Sequence, residues 1–164
     1  MKRLLIISLL IFFCVMILPA SELSQDEISG LHYMFEEEKL AGDVYKALDD
    51  IWNLRIFENI SQAEDRHMSW VRDLSADYGL VFNEMPQGEF SIPALQSLYD
   101  DLLEKGSLSI KDAMEVGRLV EITDIEDLDR ILQENLPDDY RVVYENLRTG
   151  SEHHLDAFNR QLGL

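Results

Sequence analysis

The sequence predicts an all-α fold: a bundle of four long helices with short links at both ends and one long crossover containing a short extra helix. Three observations carry that expectation. Apolar residues recur at steps of three and four through four long segments, no segment alternates with a strand's period of two, and turn residues fall between the segments. The chain has 164 residues, 46% apolar and 28% charged, which suits one domain around one core and argues against a disordered chain.

The N-terminal stretch stands apart from that fold. Lys2 and Arg3 precede the apolar run LLIISLLIFFCVMIL, and Leu18-Pro19-Ala20 has the form of a small-residue cleavage site. Residues 1–20 are therefore expected to be a secretory signal peptide, with an uncleaved N-terminal anchor as the alternative, because the run is almost long enough to span a bilayer. Residues 21–164 would then form a secreted or otherwise extracytoplasmic domain. Cys14, the only cysteine, lies inside the leader, so the domain has neither disulfide nor thiolate chemistry. The whole chain carries a net charge of −18, and removing the leader takes away basic residues only. This argues against nucleic acid as a partner and allows membrane contact only through a retained leader.

The first helix is expected over Gln25 to Trp52, with its seam at Leu31, Phe35, Glu38, Ala41, Tyr45, Leu48 and Trp52. Of its three consecutive glutamates only Glu38 falls on the seam, and Glu36 and Glu37 face elsewhere. After the break at Asn53-Leu54-Arg55, a second helix from Ile56 to Tyr78 steps through Phe57, Ile60, Glu64, His67, Val71, Leu74 and Tyr78. Glu64 and His67, in AEDRHM, occupy core slots one turn apart on one side of the helix. The crossover follows, with Pro86, Gly88, Pro93 and the amphipathic piece LQSLYDDLLEKG.

A third helix from Ser109 to about Asn135 steps through Met114, Gly117, Glu121, Asp124 and Leu128, and Pro137 ends the link behind it. The fourth, from Asp138 to Leu162, steps through Tyr144, Leu147, Ser151, His154 and Phe158. In an alternative reading Gly150 ends a helix and Ser151 caps the next, which would move His154 off the common level.

Each polar interruption lies near the middle of its helix, so an antiparallel bundle would gather them at one level. A lone buried carboxylate costs several kcal/mol unless it is protonated, paired or bound to a cation. That level would collect Glu38, Glu64, Glu121 and Asp124 with His67 and His154, and no Lys or Arg occupies a seam slot. A metal is the simplest compensation, and oxygen and imidazole donors suit iron, or manganese as the second candidate. His32 and His153 read as surface or packing residues.

At these residues the chain resembles the ferritin-like di-iron carboxylate proteins, whose bundles use a Glu from each of two helices and Glu-x-x-His from each of the other two. Glu38, Ala41 and Tyr45 look like the E-x-x-A-x-x-x-Y pattern of rubrerythrins, A-E-D-R-H looks like their A-E-x-x-H, and Glu121 with Asp124 is similar to their paired carboxylates. Taken over EEEKLAGDVY, NISQAEDRHM, LQSLYDDLLEKGS, VYENL and GSEHHLDAF, the chain looks closest to an archaeal and bacterial ferritin-like family classed as a domain of unknown function. The resemblance implies a fold and a metal site, and the leading expectation is a centre of two metal ions, iron first, held by Glu38, Glu64, His67, Glu121, Asp124 and His154. Iron oxidation, or reduction of oxygen or peroxide, would be its chemistry.

The departure from the pattern is Ser151, which stands where a metal-binding Glu is expected. Asp124 is the expected substitute, and Glu152 is rotated too far off the seam. Gly42 and Gly117 would either leave room for a small oxidant or serve close helix packing. No pair of C-x-x-C motifs is present, so electrons would come from an external donor. Association into a homo-oligomer is compatible with the pattern. The rival expectation is a non-catalytic metal-binding or structural bundle that uses its acidic face for a partner.

Overall fold

A computed structural model describes residues 23–164 and contains five helices: α1 (Gln25–Trp52), α2 (Arg55–Asp77), α3 (Pro93–Gly106), α4 (Ile110–Ile131) and α5 (Asp138–Leu162). Among the described residues there is no strand, so the described part of the chain is all-α. The expected leader, residues 1–20, lies outside the described residues. No described helix is long and apolar enough to cross a membrane.

The helix ends follow local chemistry. Ser24 accepts a hydrogen bond from the Glu27 amide and Glu27 accepts one from the Ser24 amide, a reciprocal cap that starts α1. Asn53 takes the left-handed conformation, φ 48°, that ends α1 and turns the chain into α2. Ser109 accepts from the Asp112 amide to begin α4. That helix stops at Ile131, short of the expected Asn135. Its last turns tighten, with Gln133 donating to Arg130 and Glu134 to Ile131, and Pro137 disfavours helical backbone at Leu136. Arg141 then donates to the orphaned carbonyls of Leu132 (3.0 Å) and Glu134 (3.1 Å). In contrast, α5 runs without a break through Gly150 and Ser151, so His154 keeps its seam position.

Packing pairs α1 with α2 and α4 with α5, while α3 lies against α1 and α4. The apolar interior forms two clusters. One gathers Leu40, Val44, Tyr45, Phe57, Val116 and Phe158 with Leu95, Tyr99 and Leu102 of α3. The other gathers Leu31, Phe35, Met68, Val71, Leu128, Tyr140 and Leu147. On each long helix, buried polar residues fall between the two: Glu38 on α1, Glu64 and His67 on α2, Glu121 and Asp124 on α4, Ser151 on α5. A charged belt thus crosses the middle of an otherwise apolar core.

Candidate metal centre

Within that belt the seam register of four helices converges on two groups of donors. Glu38, Glu64 and His67 can place one ligand atom each within 4.8 Å of one another, and so can Glu64, Glu121 and His154. Glu64 belongs to both. His67 Nδ1 lies 2.8 Å from Glu64 Oε2 and 3.2 Å from Glu38 Oε2. His154 Nδ1 lies 2.8 Å from Glu64 Oε1 and 3.6 Å from Glu121 Oε2. The imidazole rings themselves are stacked with centroids 5.4 Å apart.

Proximity here does not amount to a satisfied network. Glu64 Oε1 and His154 Nδ1 approach closely but are not aligned as a hydrogen bond, and both are buried without a partner, as is Glu38 Oε1. Tyr45 supports the other side: its hydroxyl donates to Glu121 Oε1 at 2.6 Å and packs within 3.3 Å of the Gly117 carbonyl. That bond fixes the carboxylate's direction, as a hydrogen-bonded neighbour of a metal ligand does.

Protonation within the metal-free belt shows how its charge is compensated. Burial would lower the imidazole of His67, but Glu38 and Glu64 beside it hold it up at about 11. His154 is likewise held at about 9, against burial, by Glu121 and Glu64. Burial would raise Glu64, yet the two imidazoles hold it down at about 2. Burial first, with the Glu64 charge adding to it, pushes Glu38 and Glu121 up to about 7. Protons on the imidazoles offset part of the buried negative charge, and a metal ion binding such donors would displace them. The donor set, carboxylate oxygens and imidazole nitrogens with unpartnered buried atoms, could hold a metal ion.

Of the six residues the sequence nominates, the structure brings five into these two groups. Asp124 is buried but lies outside both, and it accepts a hydrogen bond from the Ser151 hydroxyl. Burial, then the charge of Glu38, raises its carboxyl well above the usual range. His32 and His153 are outside both groups too.

Three features of the site lie beyond the seam argument. Glu36 and Glu37 do face away from the seam, yet both are buried, 1% and 8% exposed, because the crossover and α4 cover those faces of α1. Glu36 accepts from the amides of Ser91 and Ile92, each at 3.0 Å, and from the Ser91 hydroxyl at 2.5 Å. Gly117 serves packing: an added Cβ would lie 2.3 Å from the Phe158 ring, so no room for an oxidant exists there. Gly150, read from sequence only as a helix stop, is a mid-helix glycine whose added Cβ would lie 2.4 Å from His67 Nε2. It admits the imidazole. The signal available in the sequence was its position one turn before His154.

Comparison with known proteins gives a consistent lineage. The chain is 43% identical over 148 residues to "Uncharacterized protein MJ0754" of Methanocaldococcus jannaschii, an alignment covering 88% of this chain and 80% of that protein. It is similar to the crystal structure of hypothetical protein MJ0754 from Methanococcus jannaschii, with a TM-score of 0.83, 43% identity, and coverage of 89% of this chain and 85% of that one. Residues 27–164 match the family described as "Uncharacterized protein domain (DUF2202)", and the chain belongs to that family.

Proposed function

We propose that this protein is a ferritin-like four-helix bundle with a two-metal centre, iron first and manganese second, that oxidises ferrous iron or reduces oxygen or peroxide. One observation carries the reading: two buried donor triads, Glu38–Glu64–His67 and Glu64–Glu121–His154, share Glu64. Glu64 would serve both positions, Glu38 and Glu121 would supply one carboxylate apiece, and each histidine would complete one position. Tyr45 holds Glu121 in place, and Gly150 lets His67 reach the belt.

When bound, a pair of iron ions supplies electrons one at a time to oxygen or peroxide. Apolar clusters flank the donors on both sides. The reduced state would be regenerated by an external electron donor, and a location outside the cytoplasm rests on the leader-like residues 1–20. Anaerobic titration with ferrous iron, with metal analysis of the product, should give two ions per chain. Addition of oxygen or hydrogen peroxide should then consume about one oxidising equivalent per iron. Binding of one ion or none, or two ions inert to both oxidants, would leave the non-catalytic bundle as the better account.

A further inference from the structure

A cavity of about 260 Å³ reaches the belt from the side of the crossover helix. On the same measure one water needs only ~10–15 Å³, so the space far exceeds what oxygen or hydrogen peroxide requires. Its walls are apolar: Leu40, Leu95, Leu98, Leu102, Leu119 and Val120. Leu98 and Leu119 are 37% and 45% exposed, which puts them at the mouth. Carboxylates form the inner end.

Those carboxylates provide a second, independent observation. Glu37, Glu38, Glu64 and Asp124 all line the cavity, and each has a buried oxygen without a hydrogen-bond partner: Glu37 Oε2, Glu38 Oε1, Glu64 Oε1 and Asp124 Oδ1. Glu38 and Glu64 belong to the donor triads, but Glu37 and Asp124 belong to neither. An apolar tube ending in carboxyl oxygens that nothing in the chain satisfies suits a molecule with an apolar body and a hydrogen-bonding head.

We propose that this cavity binds a small alkyl compound with an O–H head group, and that the oxidant reduced at the centre is an alkyl hydroperoxide. The substrate assignment rests on the two-metal reading; the binding site does not. The alkyl chain lies against Leu95, Leu98 and Leu102, and the O–H group shares a hydrogen bond with the unpartnered carboxyl oxygen of Glu37 or Asp124. The O–O bond of the hydroperoxide breaks; one oxygen leaves with the alkyl group as an alcohol and the other as water. Two ferrous ions each give up one electron, and two protons are taken up from solvent. Helix α3 has a purpose in this account beyond connection, since it furnishes three leucines of the wall.

The test uses the full chain, metal-free and iron-loaded, with n-heptanol as an unreactive probe. Calorimetric titration should detect saturable binding to both forms, and the melting temperature should rise with heptanol. Leu98→Glu and Thr123→Phe, which charge or fill the lining, should weaken heptanol binding at least tenfold while metal content and helical circular dichroism stay as in the wild type. Val142→Glu, an exposed change on α5, is the control and should leave binding unaltered. With iron loaded, an n-alkyl hydroperoxide should react faster than hydrogen peroxide, and the ratio of the two rates should fall at least tenfold in Leu98→Glu. No heptanol binding, or equal binding by wild type and both lining variants, overturns the site. Binding with no rate preference for the alkyl hydroperoxide overturns the substrate. Failure of iron to react with any oxidant removes the two-metal reading and leaves the heptanol result to decide the site alone.

Discussion

Two faces of α1, a few side chains apart, bury charge in opposite ways. On one, Glu36, Lys39 and Asp43 lie under the crossover, each 4% exposed or less, and every charge has a protein partner. Lys39 pairs with Asp43 and donates to the carbonyls of Pro86 (2.9 Å) and Glu89 (3.2 Å), with the Phe90 ring 4.4 Å away. Asp43 also accepts from the Gly88 amide, and Glu36 from Ser91 and Ile92. On the other face, Glu38 is as deeply buried but meets other carboxylates and imidazoles with an oxygen left over. Burial of a carboxylate is therefore no sign of a metal. Unpartnered donors converging from several helices are.

The largest effect expected on stability lies on the satisfied face. Replacing Lys39 by Met strands the Asp43 carboxylate in the interior, and breaking a buried pair in this way costs about 3–5 kcal/mol. Urea denaturation should show that loss while metal content per folded chain stays as in the wild type. Loss of metal along with stability would mean that the crossover clamp and the donor belt are one unit, and the contrast between the faces would dissolve.

The next effect lies on the unsatisfied face and should appear in stoichiometry. Glu64→Ala removes the carboxylate common to both triads and should empty both positions, whereas Glu38→Ala or Glu121→Ala should each leave about one ion per chain. Glu36→Ala should leave both ions and weaken only the crossover. Metal analysis after dialysis against ferrous or manganous ions makes the comparison, and equal losses in all four variants would reduce the site to a general acidic affinity.

How much of this was legible in the sequence divides along the same line. Steps of three and four along a helix report which residues share its seam, and so Glu38, Glu64, His67, Glu121 and His154 could be placed at one level. What covers the remaining faces is set by chain segments far away in sequence. Nothing in EEEKLAGD says that Ser91 and Ile92 will fold back onto Glu36, or that Pro86 and Glu89 will receive Lys39. The role of Gly150 was hidden for a related reason: a glycine in a helix pattern reads as a weakness until the neighbouring helix supplies the ring that needs the space.

Two glycines sharpen that point with smaller effects. Gly150→Ala drives a methyl against His67 Nε2 and should lower metal affinity about 10–100-fold by displacing a ligand's support. Gly117→Ala drives one against Phe158 in an apolar cluster, and overpacking there should cost about 1–3 kcal/mol. Competition with a chelator measures the first and thermal melting the second. An affinity loss of the same size at Gly117 would mean that the belt senses any strain in the core.

The belt also predicts a pH dependence of its own. In the metal-free protein Glu38 and Glu121 titrate at about 7, above the ordinary 4.5, so the folded state holds more protons and stability falls as pH rises between those values. The histidines act in the same sense: their contribution is complete below 6.5 and is lost as pH climbs through about 9 for His154 and about 11 for His67. Glu64, held at about 2, acts oppositely, and its contribution is lost only as pH falls from 4.5 towards 2. The metal-free melting temperature should thus decline from about pH 4.5 upwards, with the histidines adding to the loss above 6.5. Added metal, which replaces the protons, should stabilise more at the alkaline end. A metal-free protein that gains stability over that range would show the belt's carboxylates to be already neutralised within the fold.

The smallest effect concerns Asp124, the residue that sequence reasoning assigns to the second metal position in place of a glutamate at Ser151. The structure gives it another partner, the Ser151 hydroxyl, which itself packs 3.0 Å from the Leu147 carbonyl. Burial first, and then the charge of Glu38, holds the Asp124 carboxyl well above the ordinary range, which favours its neutral form. Asparagine copies that shape and charge: its carbonyl can accept from Ser151, and its amide takes the place of the unpartnered Oδ1. Asp124→Asn should therefore change stability by no more than about 1 kcal/mol, the worth of one ordinary hydrogen bond, and should keep two ions per chain. A fall towards one ion, with the fold intact, would return Asp124 to the ligand set. The second position would then be held from α4 by two carboxylates one turn apart, and Ser151 would be the group that orients the second of them.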